Sequence, residues 1–593
     1  MILLLLACGN NGVAVLDTPE EIPAELRDDD EDGFVAEEDC DDNDPDSNPD
    51  GEEGTAPDGA DNDCDGYEDE FEVGCDGVTE DIMEAVGIVE DGMTILVCPG
   101  TYREDLVLDG RELTIQSMEG PKDTTIEGSG DTSVVSMENA EIGLIGFTVR
   151  EGVATNGGGI YAKSSNLTVD DCIVEDNSAT EYGGGIYVID TPADILNSTV
   201  EGNSAYEGGG IWAQGQVTIQ GNEIVENHCT SLNESEAYHG ADGGGGGLFY
   251  RGRVDVLDNV IARNVSEVNG GGVYSLDASG DFIGNTVEDN ETWEDGAGHY
   301  ANYSSETFED NVFEDNFAHD DAGGLRIYVG SVEIRRNHFE GNGCNDDGGG
   351  LKLSHANNTI DDNTFIENYA GDSGGGVELD NDVSTLENAT FKGNRAYRGA
   401  AVNSKENFSA NRLRDLVFED NEASGAGGAI YLYDNAYTTT IERIWVDGGD
   451  APFGAAIAGS NANLVLRNAM IRDQDGDAIE LTESTGNIGN VIIDYCSGTG
   501  VVSDGAYTLW NGIFTRLEIG VEGPASVSYT SFYDNDYDGD SASGTGVIDD
   551  DCELTSDYEL GSGSPCIDAG SPDVDDKDGT RSDLGYHGGP NAP

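Results

Sequence analysis

The stretch NHFEGNGCNDDGGGLKL, residues 337–353, carries two marks that recur along the chain. Phe339 stands three places before Asn342, and a little further on three glycines from Gly348 lead into the alternating Leu351-Lys352-Leu353. Glycine clusters followed by an apolar strand also begin at Gly157, Gly183, Gly208, Gly243, Gly270, Gly296, Ala322, Gly374 and Gly427. The other mark, an aromatic or branched residue before an asparagine, recurs as Val174/Asn177, Val200/Asn203, Ile224/Asn227, Ile261/Asn264, Val287/Asn290, Phe313/Asn316, Phe365/Asn368, Phe391/Asn394 and Phe418/Asn421. Most of these asparagines are 26 residues apart, and the interval of 37 between Asn227 and Asn264 marks an insertion.

Each unit holds short runs of alternating apolar character, broken by glycine or asparagine, and no long helical period. Short strands and sharp turns at constant spacing describe a coil, and stacked coils place equivalent strands about 4.8 Å apart. Ile160, Ile186, Ile211, Val273, Leu325, Leu351 and Val377 are expected to form one inward column. No single coil could bury its own face, so domain count follows the repeats and not the length of 593 residues. The glycine triplets imply a corner with positive φ in every coil. The asparagines are expected to pass amide hydrogen bonds along the axis, as stacked amides do in cross-β structures.

This pairing of GGAI-like with FxxN-like motifs resembles the repeats of chlamydial polymorphic outer-membrane proteins and the wider pectate-lyase-like superfamily. The resemblance implies an all-β fold, a single-stranded right-handed parallel β-helix solenoid. In the first family the solenoid is a surface adhesin followed by a membrane β-barrel. Here attachment would come instead from Cys8, because Leu5-Leu6-Ala7-Cys8 resembles a bacterial lipobox whose cysteine is lipidated.

Residues 79–90, with Ile82, Val86 and Val89, read as a small amphipathic cap over the first coil, where an open end would template aggregation. ILVCPGTYRE resembles the usual first coil of bacterial β-helix proteins, and SPCIDAG with DGTRSDLGYHGG resembles their closing segment. The chain thus divides into a leader and lipidation cysteine (1–8), a linker (9–27), an aspartate-rich segment (28–71), the β-helix (72–570, with repeats over 157–535) and a closing segment (571–593).

Asp28, Asp30 and Asp32 alternate before Gly33, with Asp39 at the twelfth place, and Asp61, Asp63 and Asp65 repeat the pattern before Gly66. Hard oxygens so spaced converge on calcium as the chain turns at the glycine. Asp41, Asp44 and Asp69 extend the ligand set. Taken together, DCDDNDP and DGADNDCDGYEDE resemble the metal-binding motif of MopE-type bacterial surface proteins and, more loosely, thrombospondin type 3 repeats, which implies calcium as the cofactor. Without Cys8, ten cysteines remain, an even number that suits an oxidising compartment. Cys40/Cys64, Cys75/Cys98 and Cys552/Cys566 are close enough in sequence to pair.

A net charge of −96 repels phosphate, which excludes nucleic acid as a partner and limits membrane contact to a lipid anchor. A second acidic feature is the set Asp295, Asp321, Asp347 and Asp372, each read as preceding a glycine corner. Stacked one coil apart, they would repel unless cations lay between them, and calcium is the expected cation. Basic residues discriminate catalysis here, because acids are everywhere. The chain shows no GHG or RIK-like signature, and no arginine and lysine at equivalent places of neighbouring coils. The nearest cluster, Arg326, Arg335, Arg336 and Lys352, reads as an outward solvated face. The insertion at residues 228–242, with His228 and His239, is the first candidate for recognition.

The expected function is therefore a non-catalytic, exported, calcium-binding rod, lipid-anchored at a bacterial cell surface, that meets a glycan or a cell-surface protein. The alternatives are a secreted polysaccharide lyase or glycoside hydrolase, and a structural envelope protein.

Overall fold

The computed structural model describes residues 79–230, 243–382, 384–407 and 410–593, together with residues 70–75 and positions 28, 30, 34, 35, 39–41, 43–45, 47–49, 62 and 64. It is a single parallel β-solenoid of about 16 turns. Three columns of parallel strands run its length. A post-glycine column extends from Leu106–Val107 to Ile519–Glu522, a middle column from Glu70–Val73 to Ala525–Ser528, and a pre-asparagine column from Gly100–Tyr102 to Ser531–Tyr533. A fourth column of 11 strands, from Val153–Asn156 to Glu422–Ala426, lies between the asparagine and the glycine corner. The solenoid starts at Glu70, so its first strand takes the last two residues of the segment read as aspartate-rich.

The expected inward column forms in register, Leu325 on Leu351 on Val377, and all seven residues named for it are fully buried. Beside it the rings of Phe313, Phe339, Phe365, Phe391 and Phe418 stack face to face, with centroids 4.9, 4.8, 4.9 and 5.2 Å apart. That separation is the strand spacing itself, so one aromatic per rung fills the core without a gap.

The asparagines form the expected ladder. Asn316 donates its backbone N–H and its Nδ2 to Asn342 Oδ1 (3.2 and 2.9 Å), and Asn342 repeats this toward Asn368 while its Nδ2 also reaches Phe313 O at 2.8 Å. A second ladder of the same design runs through Asn222, Asn259, Asn285, Asn311, Asn337 and Asn363, five residues earlier in each rung. The buried amides inside the two ladders thereby find partners in the next rung.

The glycine triplets carry two requirements and not one. Only the first glycine is left-handed, as at Gly348 (φ +78°). The next two fail for another reason: a β-carbon at Gly349 would sit 2.5 Å from Gly375 O, and one at Gly350 2.7 Å from Gly376 O. Conformation fixes the first position and rung-to-rung clearance the other two.

A polar cluster interrupts the apolar lumen. His299 occupies the inward column, where its Nε2 lies 3.0 Å from Ser275 Oγ. Ser275 Oγ also donates to Glu306 Oε2 (2.7 Å), and Tyr250 donates its hydroxyl to Glu306 Oε1. All four are buried. Burial pushes the Glu306 carboxyl up to about 7 and the His299 imidazole down to about 3, since low dielectric disfavours either charged form.

At the first rung a helix, Ile82–Ile88, buries Ile82, Ala85 and Val86, and Glu104 accepts from its leading N–H groups of Ile82 (2.8 Å) and Met83 (2.9 Å). Arg111 donates to the trailing carbonyls of Val86 and Val89. Disulfides join Cys40–Cys64, Cys75–Cys98 and Cys552–Cys566, and Cys172, Cys229, Cys344 and Cys496 are buried thiols. The closing segment begins earlier than residue 571. From about Cys552 the chain lies along the outer face of the pre-asparagine column, where Cys552, Cys566, Leu584 and Tyr586 cover Met470, Ile492 and Ile513.

Candidate binding face

The second residue of each post-glycine strand points outward yet is roofed by the turn that carries the fourth column. From Tyr161 these positions are aromatic: Tyr187, Trp212, Phe249 and Tyr274 follow rung on rung and Tyr300 meets Tyr274 edge-on, with centroids 4.8 to 5.7 Å apart. Tyr187 to Tyr300 are buried, so this stack is a second, external core.

The same positions then change character to Arg326, Lys352, Glu378 and Asn403, in direct register. Arg326 and Lys352 are thus an arginine and a lysine at equivalent places of neighbouring rungs, contrary to the reading from sequence, and both are buried rather than solvated. Arg335 and Arg336 lie on the surface and pair with Glu309 and Asp310. The buried cations face the acidic ladder. Asp295, Asp321 and Asp347 do stack, each accepting the next rung's backbone N–H at 3.1 to 3.2 Å, and the fourth place belongs to Ser373. Asp372 stands one residue outside, in a parallel row with Asp320 and Asp346, and pairs with Arg398 at 3.1 Å.

Between the ladder carboxylates stand the protein's own cations. Arg326 lies 3.6 Å from Asp295 and 3.5 Å from Asp321, Lys352 reaches Asp321 (2.5 Å) and Asp347 (3.1 Å), and Lys405 reaches Asp347 (2.7 Å) and Glu378 (3.2 Å). Burial raises the Asp295 carboxyl, but at Asp347 the two lysines outweigh burial and hold the group well below its ordinary range. Glu378 goes the other way, raised by burial and by Asp347. The repulsion expected of the ladder is thereby offset from within. On its outer side, carboxylate oxygens of Asp320, Asp321 and Asp346, and of Asp346, Asp347 and Asp372, come within 4.8 Å of one another, the geometry that could hold a hard cation.

Two features face solvent. The fourth column exposes a row of rings: Trp293 is 61% exposed, Phe317 37%, Tyr369 49% and Tyr397 44%. Trp293 stacks on His319 at 5.3 Å, Phe317 meets the same imidazole edge-on at 5.2 Å, and small Gly343 lies between Phe317 and Tyr369. Further along, the outward post-glycine position is Tyr431, then Ala458, then Glu480. Ala458 is the first small side chain of that column after Tyr161, and over it opens a cleft of about 300 Å³ lined by Tyr397, Arg398, Tyr431, Phe453 and Glu480.

Of the proposed calcium ligands, Asp28, Asp30, Asp39, Asp41 and Asp44 are among the described residues, and Asp32, Asp61, Asp63, Asp65, Asp69 and the lipobox Cys8 lie outside them. Asp39 Oδ1 accepts the Asp41 N–H at 2.9 Å, and the Asp44 N–H bonds Asp41 O at 2.8 Å, a tight acidic turn. Asp39 also neighbours Cys40 and Cys64, whose sulfurs are spent in their disulfide and offer a metal no thiolate. In the insertion His228 lies 3.7 Å from Glu267, and residues 231–242, with His239, fall outside the described residues.

A model of the right-handed β-helix region matches residues 112–228, 213–375 and 375–520. The chain belongs to the right-handed β-helix family. No curated protein matches its sequence. Among solved structures, this β-helix is similar to the catalytic unit of a thermostable GH87 α-1,3-glucanase from Streptomyces thermodiastaticus, at 13% identity over 80% of this chain and 68% of that one, with a TM-score of 0.20.

The β-helix exposes what sequence reasoning missed. The buried Arg326–Lys352 register was visible in GGLRI and GGLKL once aligned on their glycines. The exposed ring row carries no motif, because its members sit on either side of the fourth strand and change identity from rung to rung.

Proposed function

We propose that this right-handed β-helix is a non-catalytic, exported rod that binds a glycan chain along its fourth column. The observation that carries the reading is the exposed row Trp293, Phe317, Tyr369 and Tyr397. A row of exposed rings on an otherwise highly charged surface marks an interaction site, and flat rings suit the C–H faces of sugar rings. Against catalysis stands the pairing of the buried cluster: Arg326, Lys352 and Lys405 each hold carboxylates, so that cluster offers no free cation as a substrate clamp. Calcium in segment 28–71 and a lipid on Cys8 belong to the same reading, as a stiffened spacer and an anchor at a bacterial surface.

Glycan-array and affinity-electrophoresis screens test it. Retention by at least one polysaccharide, lost in Trp293→Ala/Tyr369→Ala with the unfolding temperature unchanged, is the expected result. Release of reducing ends or unsaturated products from a retained polymer would put the lyase or hydrolase alternative first.

A further inference from the structure

Over Ala458 we infer a binding site for an organic ammonium ion, which adjoins the ring row through the shared Tyr397 and does not depend on Trp293, Phe317 or Tyr369. The outward post-glycine column is filled by large side chains in rung after rung, from Tyr187 through Lys352 to Tyr431. Ala458 leaves one position empty between Tyr431 and Glu480, which lie two rungs, hence about 10 Å, apart. The gap is the cleft of about 300 Å³.

Its walls have the chemistry of a cation site. Phe453 is 57% exposed and Tyr397 44% exposed at the rim, and Tyr431, which stacks on Tyr433 at 6.2 Å, forms one end. Aromatic rings attract an ammonium through their quadrupole, most strongly where water is partly excluded. The other end is the Glu480 carboxylate, half-buried, bonded by the Gly454 N–H and paired with no lysine or arginine among the described residues. Burial, with Asp477 nearby, raises its pKa, the signature of a charge without a counterion. The one cation on the lining, Arg398, is already held by Asp372 at 3.1 Å and lies over the Tyr397 ring at 4.7 Å. Asp372, Asp477 and Glu480 against Arg398 leave the cleft negative, in keeping with the whole chain. An arrangement of rings around an uncompensated carboxylate selects a compact cation whose methyl or methylene groups can also be buried.

Three probes share that chemistry and differ in source: choline for a lipid headgroup, glucosamine for an amino sugar, and Nα-acetyl-lysine methylamide for a peptide. Titration of the full chain followed by calorimetry or ligand-observed NMR should show saturable binding of at least one, with glucose as the neutral control. Binding should weaken about tenfold or more in Glu480→Gln, and vanish in Ala458→Leu, a change the column tolerates because it carries larger residues in the adjacent rungs. Acidification should release the ligand as Glu480 protonates. Both variants should unfold at the parent temperature, and should one not, Phe453→Ala, at an exposed rim position, replaces it with the same expectation. The inference is overturned if no ammonium probe saturates, if glucose binds as well as glucosamine, or if the probes bind the variants unchanged.

Discussion

Between the fourth column's first and last strands most rungs take 26 residues and close on four strands, whereas Ile457, Ile479, Val501 and Val521 follow at 22, 22 and 20 and close on three. The long rungs are tied through their corners by two amide ladders. The short rungs lack those ladders and are tied from outside: Asn468 Nδ2 donates to Tyr586 O and Gly588 O, Asn511 Nδ2 to Ser582 Oγ, and the apolar outer faces of Met470, Ile492 and Ile513 lie under the closing segment. Arginine forks add to this, Arg472 on Asp447 and Arg516 on Asp494, with the Tyr558 hydroxyl also reaching Asp494 at 2.7 Å. A solenoid can therefore be held by hydrogen bonds repeated within it or by a strap across it, and this chain uses each where the other is missing.

The sharpest break of that contrast is Asn342→Ala. It takes the Asn342 amide from the Phe313 carbonyl and leaves the Asn316 backbone N–H and one of its two Nδ2 hydrogens without an acceptor in a buried corner, each costing roughly 1–3 kcal/mol. A loss of about 4 kcal/mol, read by chemical denaturation, is expected, and a loss below about 1 kcal/mol would mean that the ladder is dispensable. Next comes the strap. Cys552→Ser/Cys566→Ser opens a loop of separation 14 and should cost about 3 kcal/mol. Hydrogen exchange should then rise in residues 445–533 and stay unchanged in the long rungs. Uniform loss of protection would show the two regions to be one cooperative unit.

The smallest effect sharpens the picture of the lumen. Glu306 is raised to about 7 in the fold from an ordinary 4.5, so the folded state holds the extra proton between those values. Its contribution is fully present below about pH 4.5 and is lost as pH rises through 7. His299, lowered to about 3, works in the opposite sense, its contribution growing as pH rises from 3 to 6.5. The two offset each other over the shared window. Glu306→Gln, which keeps both hydroxyl partners, should therefore gain about 2 kcal/mol at pH 8 and little at pH 5. Equal effects at both pH values would show that the carboxyl is not the titrating group.

The solenoid was legible because its two marks are backbone demands: a left-handed corner needs glycine, and a stacked buried amide needs asparagine at constant spacing. The second ladder was equally written, since Asn337 and Asn342 both occur in NHFEGN, but one asparagine per rung already explained the corner. Asp372 was misplaced by one residue. The 26-residue step from Asp347 lands on Ser373, and only the register separates a ladder residue from its neighbour. The counter-cations of the ladder lie in other strands, and sequence distance hides such pairings: Lys405 reaches Asp347 across 58 residues. The cleft was illegible for a different reason. It is made by what Ala458 lacks, and an alanine after a glycine corner looks unremarkable until its rung neighbours are known to be large.

The amide ladder also has a direction. Each asparagine inside the ladder gives its backbone N–H and an Nδ2 hydrogen to the oxygen of the asparagine in the rung that follows and offers its own oxygen to the rung before, so the side-chain dipoles point one way and reinforce one another. Each rung thus ends in a socket that fits the plug of any other. A duplicated or deleted rung leaves the polarity of the chain intact, which makes length the easiest property of this molecule for gene duplication to change.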